Sequence, residues 1–126
     1  MANAEQRARI LVVDDDARVA QTITRILSRD YEVTAVDRAV AALELLTRRV
    51  PFDVILCDVQ MPGIRGEQFY GRLERELPEI CTKLVFLTAG AVTAEEQAAL
   101  DGAGCPCIEK PFSVEGLRQL VASMLD

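Results

Sequence analysis

The chain alternates short apolar runs with longer segments in which apolar residues recur at helical spacing, and it does so five times. Each apolar run has the length of a β-strand, and turn residues separate the runs from the helical segments. We therefore predict five strands, at Ile10–Val13, Tyr31–Ala35, Val54–Cys57, Leu84–Leu87 and Cys105–Ile108. All but the second are nearly continuous apolar runs, so we expect strands buried on both faces of a parallel sheet with helices on each side.

The helices that follow these strands differ in how well their apolar faces are defined. The first and the last have clear faces, formed by Val19, Ile23, Ile26 and Leu27 and by Leu117, Leu120, Val121, Met124 and Leu125. Asp16 and Ser113 are the N-caps that we predict for these two helices. The second helix is expected at about Arg38–Arg48 and the third at about Gly66–Leu77, where Pro78 ends it.

The fourth helix is predicted to be the most weakly held. Thr93 and Glu96 have the spacing of a capping box, which marks a helix start. Behind them the segment offers mainly alanines, and Leu100 is its one large apolar anchor.

Length and charge limit the class of protein. The 126 residues fit one domain, and we predict a single domain over residues 1–126, with residues 1–7 as a flexible N-terminal segment. No apolar run approaches the roughly 20 residues of a membrane-spanning helix, and the start is polar. We therefore expect a cytoplasmic chain without membrane insertion. The net charge of −6 argues against direct nucleic-acid binding, and the absence of histidine excludes a phosphohistidine donor.

Four cysteines occur, at positions 57, 81, 105 and 107. We predict small, buried apolar residues on strands, because free cysteine is among the most buried residue types. A zinc site and a redox pair are the weaker alternatives, since no CxxC spacing occurs.

Polar residues follow four of the five predicted strands, at the edge where ligands bind in an open parallel sheet. They are Asp14, Asp15 and Asp16 after the first strand, Asp58 after the third, Thr88 after the fourth and Lys110 after the fifth. Each has a structural explanation when it is taken alone, such as a helix cap or a solvated side chain. Polar residues are unlikely to follow four strands by chance alone, so together they favour a functional site.

Carboxylates that converge without histidine or cysteine suit Mg²⁺, which prefers oxygen ligands and keeps positions open for water and phosphate. One carboxylate can then attack phosphorus, while the metal and an ammonium group neutralise the transition state. We assign the ammonium to Lys110 and a phosphoryl hydrogen bond to the Thr88 hydroxyl.

These motifs resemble the receiver domain of bacterial response regulators and hybrid histidine kinases, over the chain from about Ala8 onward. The matching segments are Ile10–Asp15, Asp58–Gly63 with Gly66, Leu87–Ala89 and Lys110–Phe112. The resemblance implies a flavodoxin-like doubly wound (βα)5 fold, with parallel strands in the order 2-1-3-4-5 and a cis Lys110–Pro111 bond.

The resemblance also implies a role for each matching residue. Asp58 is the phosphoacceptor, Asp15 binds the metal directly and Asp14 acts mainly through water. The backbone carbonyl of Gln60 is the third protein ligand of Mg²⁺, for which Mn²⁺ is a substitute. The family often has an aromatic residue three positions before the lysine, and Cys107 stands there instead. The usual coupling of threonine to an aromatic residue is therefore in doubt.

Two other functions stay open from the residues. Asp14, Asp15 and Asp16 contain the D-x-D spacing of a haloacid-dehalogenase-like phosphatase, although that function leaves Asp58 without a role. A receiver-like interaction module that is never phosphorylated is the other.

For a phosphorylated receiver the expected partners are a histidine kinase or phosphotransfer protein, and a downstream protein on the face of the fourth helix, fifth strand and last helix. A homodimer is a further expectation. The chain is either stand-alone or part of a longer protein, and the stretch Leu87–Phe112 favours a hybrid histidine kinase.

Overall fold

The computed structural model describes residues 7–60, 66–88 and 93–126, and these ranges contain five strands and five α-helices in strict alternation. The strands are β1 (Arg9–Val13), β2 (Glu32–Val36), β3 (Val54–Asp58), β4 (Leu84–Thr88) and β5 (Cys107–Glu109). The helices are α1 (Ala17–Leu27), α2 (Ala39–Thr47), α3 (Gly66–Glu76), α4 (Ala94–Ala103) and α5 (Val114–Leu125). Except for Arg7, the N-terminal segment expected to be flexible lies outside the described residues. The Met61–Gly63 part of the loop after β3 also lies outside them.

The five strands form one parallel sheet in the order β2-β1-β3-β4-β5. The predicted fold class is therefore confirmed, and the carboxyl ends of all five strands lie along one edge. The central strands are buried on both faces as expected, since every residue of β3 is buried. The same expectation is wrong for β5. It is an edge strand, and Cys107 and Glu109 are exposed on either side of the half-buried Ile108.

The core has two layers, one on each face of the sheet. Leu11, Ile55 and Phe86 point to the layer covered by α2, α3 and α4. Their neighbours Val12, Leu56 and Val85 point to the layer covered by α1 and α5. Alternation along each strand thus supplies both layers, which explains why the runs read as continuously apolar.

Helix ends follow the predicted caps. Asp16 accepts a hydrogen bond from the Arg18 backbone N–H at 2.9 Å, and Ser113 accepts one from the Gly116 N–H at 2.8 Å. The turn of 3₁₀ helix over Pro78–Lys83 was not predicted. It follows α3 because Pro78 cannot continue the α-helical hydrogen bonds and is favoured in a first helical turn.

The predicted weakness of α4 is visible in its packing. Leu100 is the one buried residue among the α4 side chains that the structure describes, and Ala103 is half-buried. The Gln97 N–H donates to the Thr93 carbonyl at 2.9 Å, so the helix starts where the capping pattern placed it. The Glu96 side chain lies outside the described part of the chain.

The prediction of four buried cysteines on strands is wrong for three of them. Cys57 is buried on β3, but Cys81 lies in the 3₁₀ helix, Cys105 precedes β5, and both are half-buried. Cys107 is exposed because β5 is an edge strand. Burial, reinforced by the Cys81 and Cys107 thiols, raises the pKa of Cys105 to about 11, so this thiol is protonated at neutral pH.

No helix in the described ranges is long and apolar enough to cross a membrane.

Candidate functional site

Three consecutive aspartates leave β1 in different environments. Asp14 is buried, with 1% of its surface exposed, and its backbone N–H donates to the Val36 carbonyl of the neighbouring strand. Its Oδ1 accepts a hydrogen bond from the Asp16 N–H at 2.9 Å, which turns the chain toward α1. Asp15 is exposed at the rim, and Asp16 caps α1. Only the first two therefore face the site.

Asp58 is the last residue of β3 and is 7% exposed. The Gln60 backbone N–H donates to its Oδ1 at 3.1 Å. The Val59 N–H donates to the Leu87 carbonyl at 2.9 Å, which ties the end of β3 to β4. Its position in the sheet and the bond from Gln60 fix the direction of the Asp58 carboxylate.

Lys110 joins the ends of the strands. Its backbone N–H donates to the Thr88 carbonyl at 2.7 Å, and the Lys110–Pro111 peptide bond is cis, as expected. Its ammonium Nζ donates to Asp14 Oδ2 at 2.9 Å and to Asp58 Oδ2 at 3.1 Å. A single cation therefore bridges two buried carboxylates at the ends of different strands.

Thr88 is the last residue of β4, where it lies opposite Glu109 of β5. Its side chain is half-buried at the same edge of the sheet as Asp58. The predicted phosphoryl hydrogen bond of Thr88 stays a prediction, as do the carbonyl ligand of Gln60 and the metal-binding roles of the aspartates.

The electrostatics of the site are unfavourable for a charged Asp58. Burial raises the pKa of the Asp58 carboxyl, and the negative charge of Asp14 adds to the shift. The Gln60 N–H and the Lys110 ammonium oppose it without cancelling it. Burial alone would lower the pKa of Lys110, but its hydrogen bonds to Asp14 and Asp58 raise that pKa instead. Lys110 is thus held as a cation, whereas the negative charge of Asp58 is only partly balanced by its neighbours.

The three carboxylates form a group suited to a metal ion. Asp14, Asp15 and Asp58 each offer one oxygen, and these atoms all lie within 4.8 Å of one another. The donors are carboxylate oxygens, which fit Mg²⁺ or Mn²⁺ and not a thiophilic ion. A divalent cation would also supply the positive charge that Asp58 lacks, so the residues fit the ion.

The structure brings together the predicted Asp14, Asp15, Asp58 and Lys110. Sequence reasoning missed that Lys110 binds both Asp14 and Asp58, and that Gln60 also contributes its N–H. No sequence signal predicts these contacts. A lysine that binds a phosphoryl group and a lysine that bridges two carboxylates have the same sequence neighbours.

The sheet order and the acidic cluster bridged by Lys110 define a doubly wound α/β domain with a candidate metal site at the carboxyl edge of its strands. The family model of the response regulator receiver domain matches residues 10–122, and the chain belongs to that family.

Individual relatives agree with the family match. The chain is 35% identical over 117 residues to the response regulator protein FleR of Pseudomonas aeruginosa, covering 91% of this chain and 24% of FleR. It is 33% identical over 118 residues to the response regulator MprA of Mycobacterium leprae, covering 93% of this chain and 50% of MprA. The crystallised chemotaxis protein CheY4 of Vibrio cholerae superposes with a TM-score of 0.81 at 27% identity, covering 94% and 99% of the two chains.

The chain thus spans half or less of the two curated relatives described here. The family match gives no support to a haloacid-dehalogenase-like phosphatase. It identifies a two-component signalling domain and not a conventional enzyme.

Proposed function

We propose that this receiver accepts a phosphoryl group on Asp58 in a reaction that depends on Mg²⁺ and is catalysed by the chain's own residues. The observation that carries the proposal is the bridge from the Lys110 ammonium to Asp14 and Asp58, at 2.9 and 3.1 Å, within a group of three carboxylates. A nucleophile, a cation and a metal-binding group are thereby combined at one strand edge.

In the proposed step a carboxylate oxygen of Asp58 attacks the phosphorus of a phosphohistidine in line. The phosphorus–nitrogen bond of the donor breaks, the imidazole leaves and an acyl phosphate forms on Asp58. Lys110 stabilises charge on the phosphoryl oxygens, to which the Thr88 hydroxyl also donates. Water later cleaves the acyl phosphate and returns the free carboxylate and inorganic phosphate.

Asp14, Asp15, the Asp58 carboxylate and the Gln60 carbonyl would hold the metal. A bound Mg²⁺ supplies positive charge to the equatorial phosphoryl oxygens. The Gln60 N–H keeps the carboxylate oriented before and during attack, since it already donates to Oδ1.

The cellular setting of this proposal is cytoplasmic, with residues 1–126 acting as one receiver unit. The donor is a histidine kinase or a phosphotransfer protein, and neither membrane insertion nor nucleic-acid binding is part of the function. A downstream protein, or a second copy in a homodimer, binds the face formed by α4, β5 and α5. The unit is either stand-alone or part of a longer protein such as a hybrid histidine kinase, in keeping with its partial coverage of its relatives.

Chemical trapping tests the proposal. The chain is incubated with acetyl phosphate and MgCl₂, the adduct is reduced with borohydride, and the modified residue is located by mass spectrometry. We expect modification of Asp58 that requires the metal and is absent from Asp58→Asn. A label on Asp14 would contradict the assignment and favour a phosphatase-like nucleophile. An unlabelled wild-type chain would favour the unphosphorylated interaction module.

A further inference from the structure

A cleft runs between α1 and α2 beside the acidic cluster. It has a volume of about 630 Å³, and Asp14 and Asp15 line one end of it. Its other lining residues come from the first two helices, the end of β2 and the two residues between β2 and α2, and they include Ala20, Val36, Val40, Ala41 and Glu44. The site described above uses only the aspartate end of this cleft.

The apolar part of the cleft lining is built from small side chains. Ala17, Ala20, Ala35 and Ala41 all line it, which leaves room for a larger apolar group. Val40, in the first turn of α2, is 52% exposed there, and it is one of two large hydrophobic residues exposed in the described ranges. Burying such a side chain against a partner is favourable because apolar surface leaves water.

The charge around the cleft is negative. Asp15, Asp37 and Glu44 are exposed at its lining, and the Arg38 guanidinium is already paired with Asp37 at 3.2 Å. Asp14 is paired with Lys110. Asp15 and Glu44 therefore leave an excess of negative charge that a basic group on an occupant would complement.

A second copy of this chain is a poor occupant. The same acidic lining, with Asp15 and Glu44 exposed, would face itself if two copies met cleft to cleft, so they repel at this face. The volume of about 630 Å³ is also within the range of about 300–1,000 Å³ typical of small-ligand sites, so it suits a short segment and not a broad protein face.

We propose that the α1–α2 cleft binds a segment of a partner protein that presents an apolar side chain flanked by arginine or lysine. This interaction surface goes beyond the proposed function, lies apart from the α4-β5-α5 face and does not require phosphorylation of Asp58. A partner seated here lies next to Asp15, the exposed member of the carboxylate group, so it reaches the acidic cluster without a relay through Thr88 and Cys107.

Two blocked hexapeptides serve as probes for the isotope-labelled full chain, observed by NMR in EDTA without a phosphoryl donor, so that no divalent metal neutralises Asp15. Each contains two central leucines, flanked by arginines in one peptide and by glutamates in the other. We expect the arginine peptide to shift the amide signals of α1, α2 and the end of β2, with binding that weakens as salt is added. The glutamate peptide should bind at least about tenfold more weakly, because its charges face Asp15 and Glu44.

Two pairs of variants separate this cleft from general attraction to an acidic surface. Val40→Ser should weaken binding about threefold or more, whereas Val114→Ser, at the other exposed valine (48%), should not. Glu44→Lys should weaken binding about threefold or more at low salt, whereas Glu115→Lys on α5 should not.

Equal effects of the paired variants, or shifts confined to α4 and α5, would overturn the proposal. So would equal shifts from arginine amide alone, which would make the cleft a site for small cations. Shifts of the same signals with protein concentration and without peptide would assign the cleft to a second copy.

Discussion

Asp58 carries an electrostatic conflict that its neighbours only partly relieve. The carboxylate is buried beside Asp14, and both share the single ammonium of Lys110. The pKa of Asp58 is raised because burial and Asp14 disfavour its charged form more than Gln60 and Lys110 favour it. Functional sites often hold groups whose charged form lowers stability, and this one lacks positive charge where a divalent ion would supply it.

Replacing Asp58 with asparagine should therefore stabilise the metal-free fold at neutral pH. A carboxyl whose folded pKa is raised lowers stability at any pH above that pKa, and the penalty disappears as pH falls below the ordinary value of 3.8. We expect Asp58→Asn to raise the free energy of unfolding by about 1 kcal/mol at pH 7, with the gain shrinking toward pH 4. Urea unfolding in EDTA at pH 7 and pH 4 measures the gain and its decrease with pH. The matched Asp16→Asn variant keeps an N-cap, so its free energy of unfolding should change little. A loss of stability in Asp58→Asn would show that the charged Asp58 carboxylate does not destabilise the fold.

Removing Lys110 should have the opposite effect. A lysine whose pKa is raised contributes its full stabilisation at any pH below the ordinary value of 10.5, so the contribution is complete at pH 7. Lys110→Met leaves Asp14 and Asp58 without their shared cation and should cost about 2–4 kcal/mol. The loss should be smaller in the Asp58→Asn background, where one carboxylate is already neutral. Additive losses in this double-mutant cycle, followed by urea unfolding, would show that Lys110 and Asp58 are not coupled.

Among the elements, α5 has a start that depends on one glycine. An added Cβ at Gly116 would lie 2.8 Å from the Ser113 Oγ, the atom that caps the helix. At Gly71 in α3 the nearest atom is the end of the flexible Arg75 side chain, at 3.9 Å. A side chain therefore fits at Gly71 but collides with the cap of α5 at Gly116.

Gly116→Ala should destabilise the fold by about 1 kcal/mol, since the cap must move or break. Gly71→Ala should instead stabilise it by about 0.5–1 kcal/mol, because alanine has the higher helix propensity. Thermal unfolding of the two variants beside wild type measures the contrast. A stabilising Gly116→Ala would show that Ser113 does not act as the cap.

The weak anchoring of α4 makes this helix the candidate for the element that responds to phosphorylation. Its described side chains include one buried residue, Leu100, whereas α1 buries Ile23, Ile26 and Leu27. Amide exchange should therefore be faster in α4 than in α1 or α5, and phosphorylation should change exchange mainly in α4, β5 and α5. Exchange mass spectrometry with and without acetyl phosphate tests this. Changes confined to α1 and α2 would contradict it.

At the scale of the whole molecule, metal binding should raise stability by linkage. An ion that binds only the folded state adds about 2.7 kcal/mol at a concentration one hundred times its dissociation constant. We expect MgCl₂ to raise the melting temperature of wild type above its value in EDTA. The increase should be lost in Asp15→Asn, which removes one member of the carboxylate group, and kept in Asp16→Asn, which lies outside it. Equal increases in both variants would place the ion elsewhere.

Much of the fold and site was predictable because its causes are local in sequence. Apolar runs and helical spacing gave the number and order of the elements, and the polar residues that end parallel strands gave the members of the site. The errors have both local and long-range causes. Pro78 predicted the end of α3 but not the 3₁₀ turn that its own backbone favours, whereas the edge position of β5 depends on strand order and is not visible in its apolar composition.

The sequence by itself determined that this chain alternates strands with helices and carries Asp14, Asp15, Asp58, Thr88 and Lys110 where strands end. The sequence determined these features because strand length, helical periodicity and the residue types at strand ends each depend on only a few neighbouring residues. Only the tertiary structure decided that Lys110 bridges carboxylates 96 and 52 positions away, that Cys107 is exposed, and that α1 and α2 leave a cleft. These features depend on which strands lie side by side, and that order results from packing the whole chain.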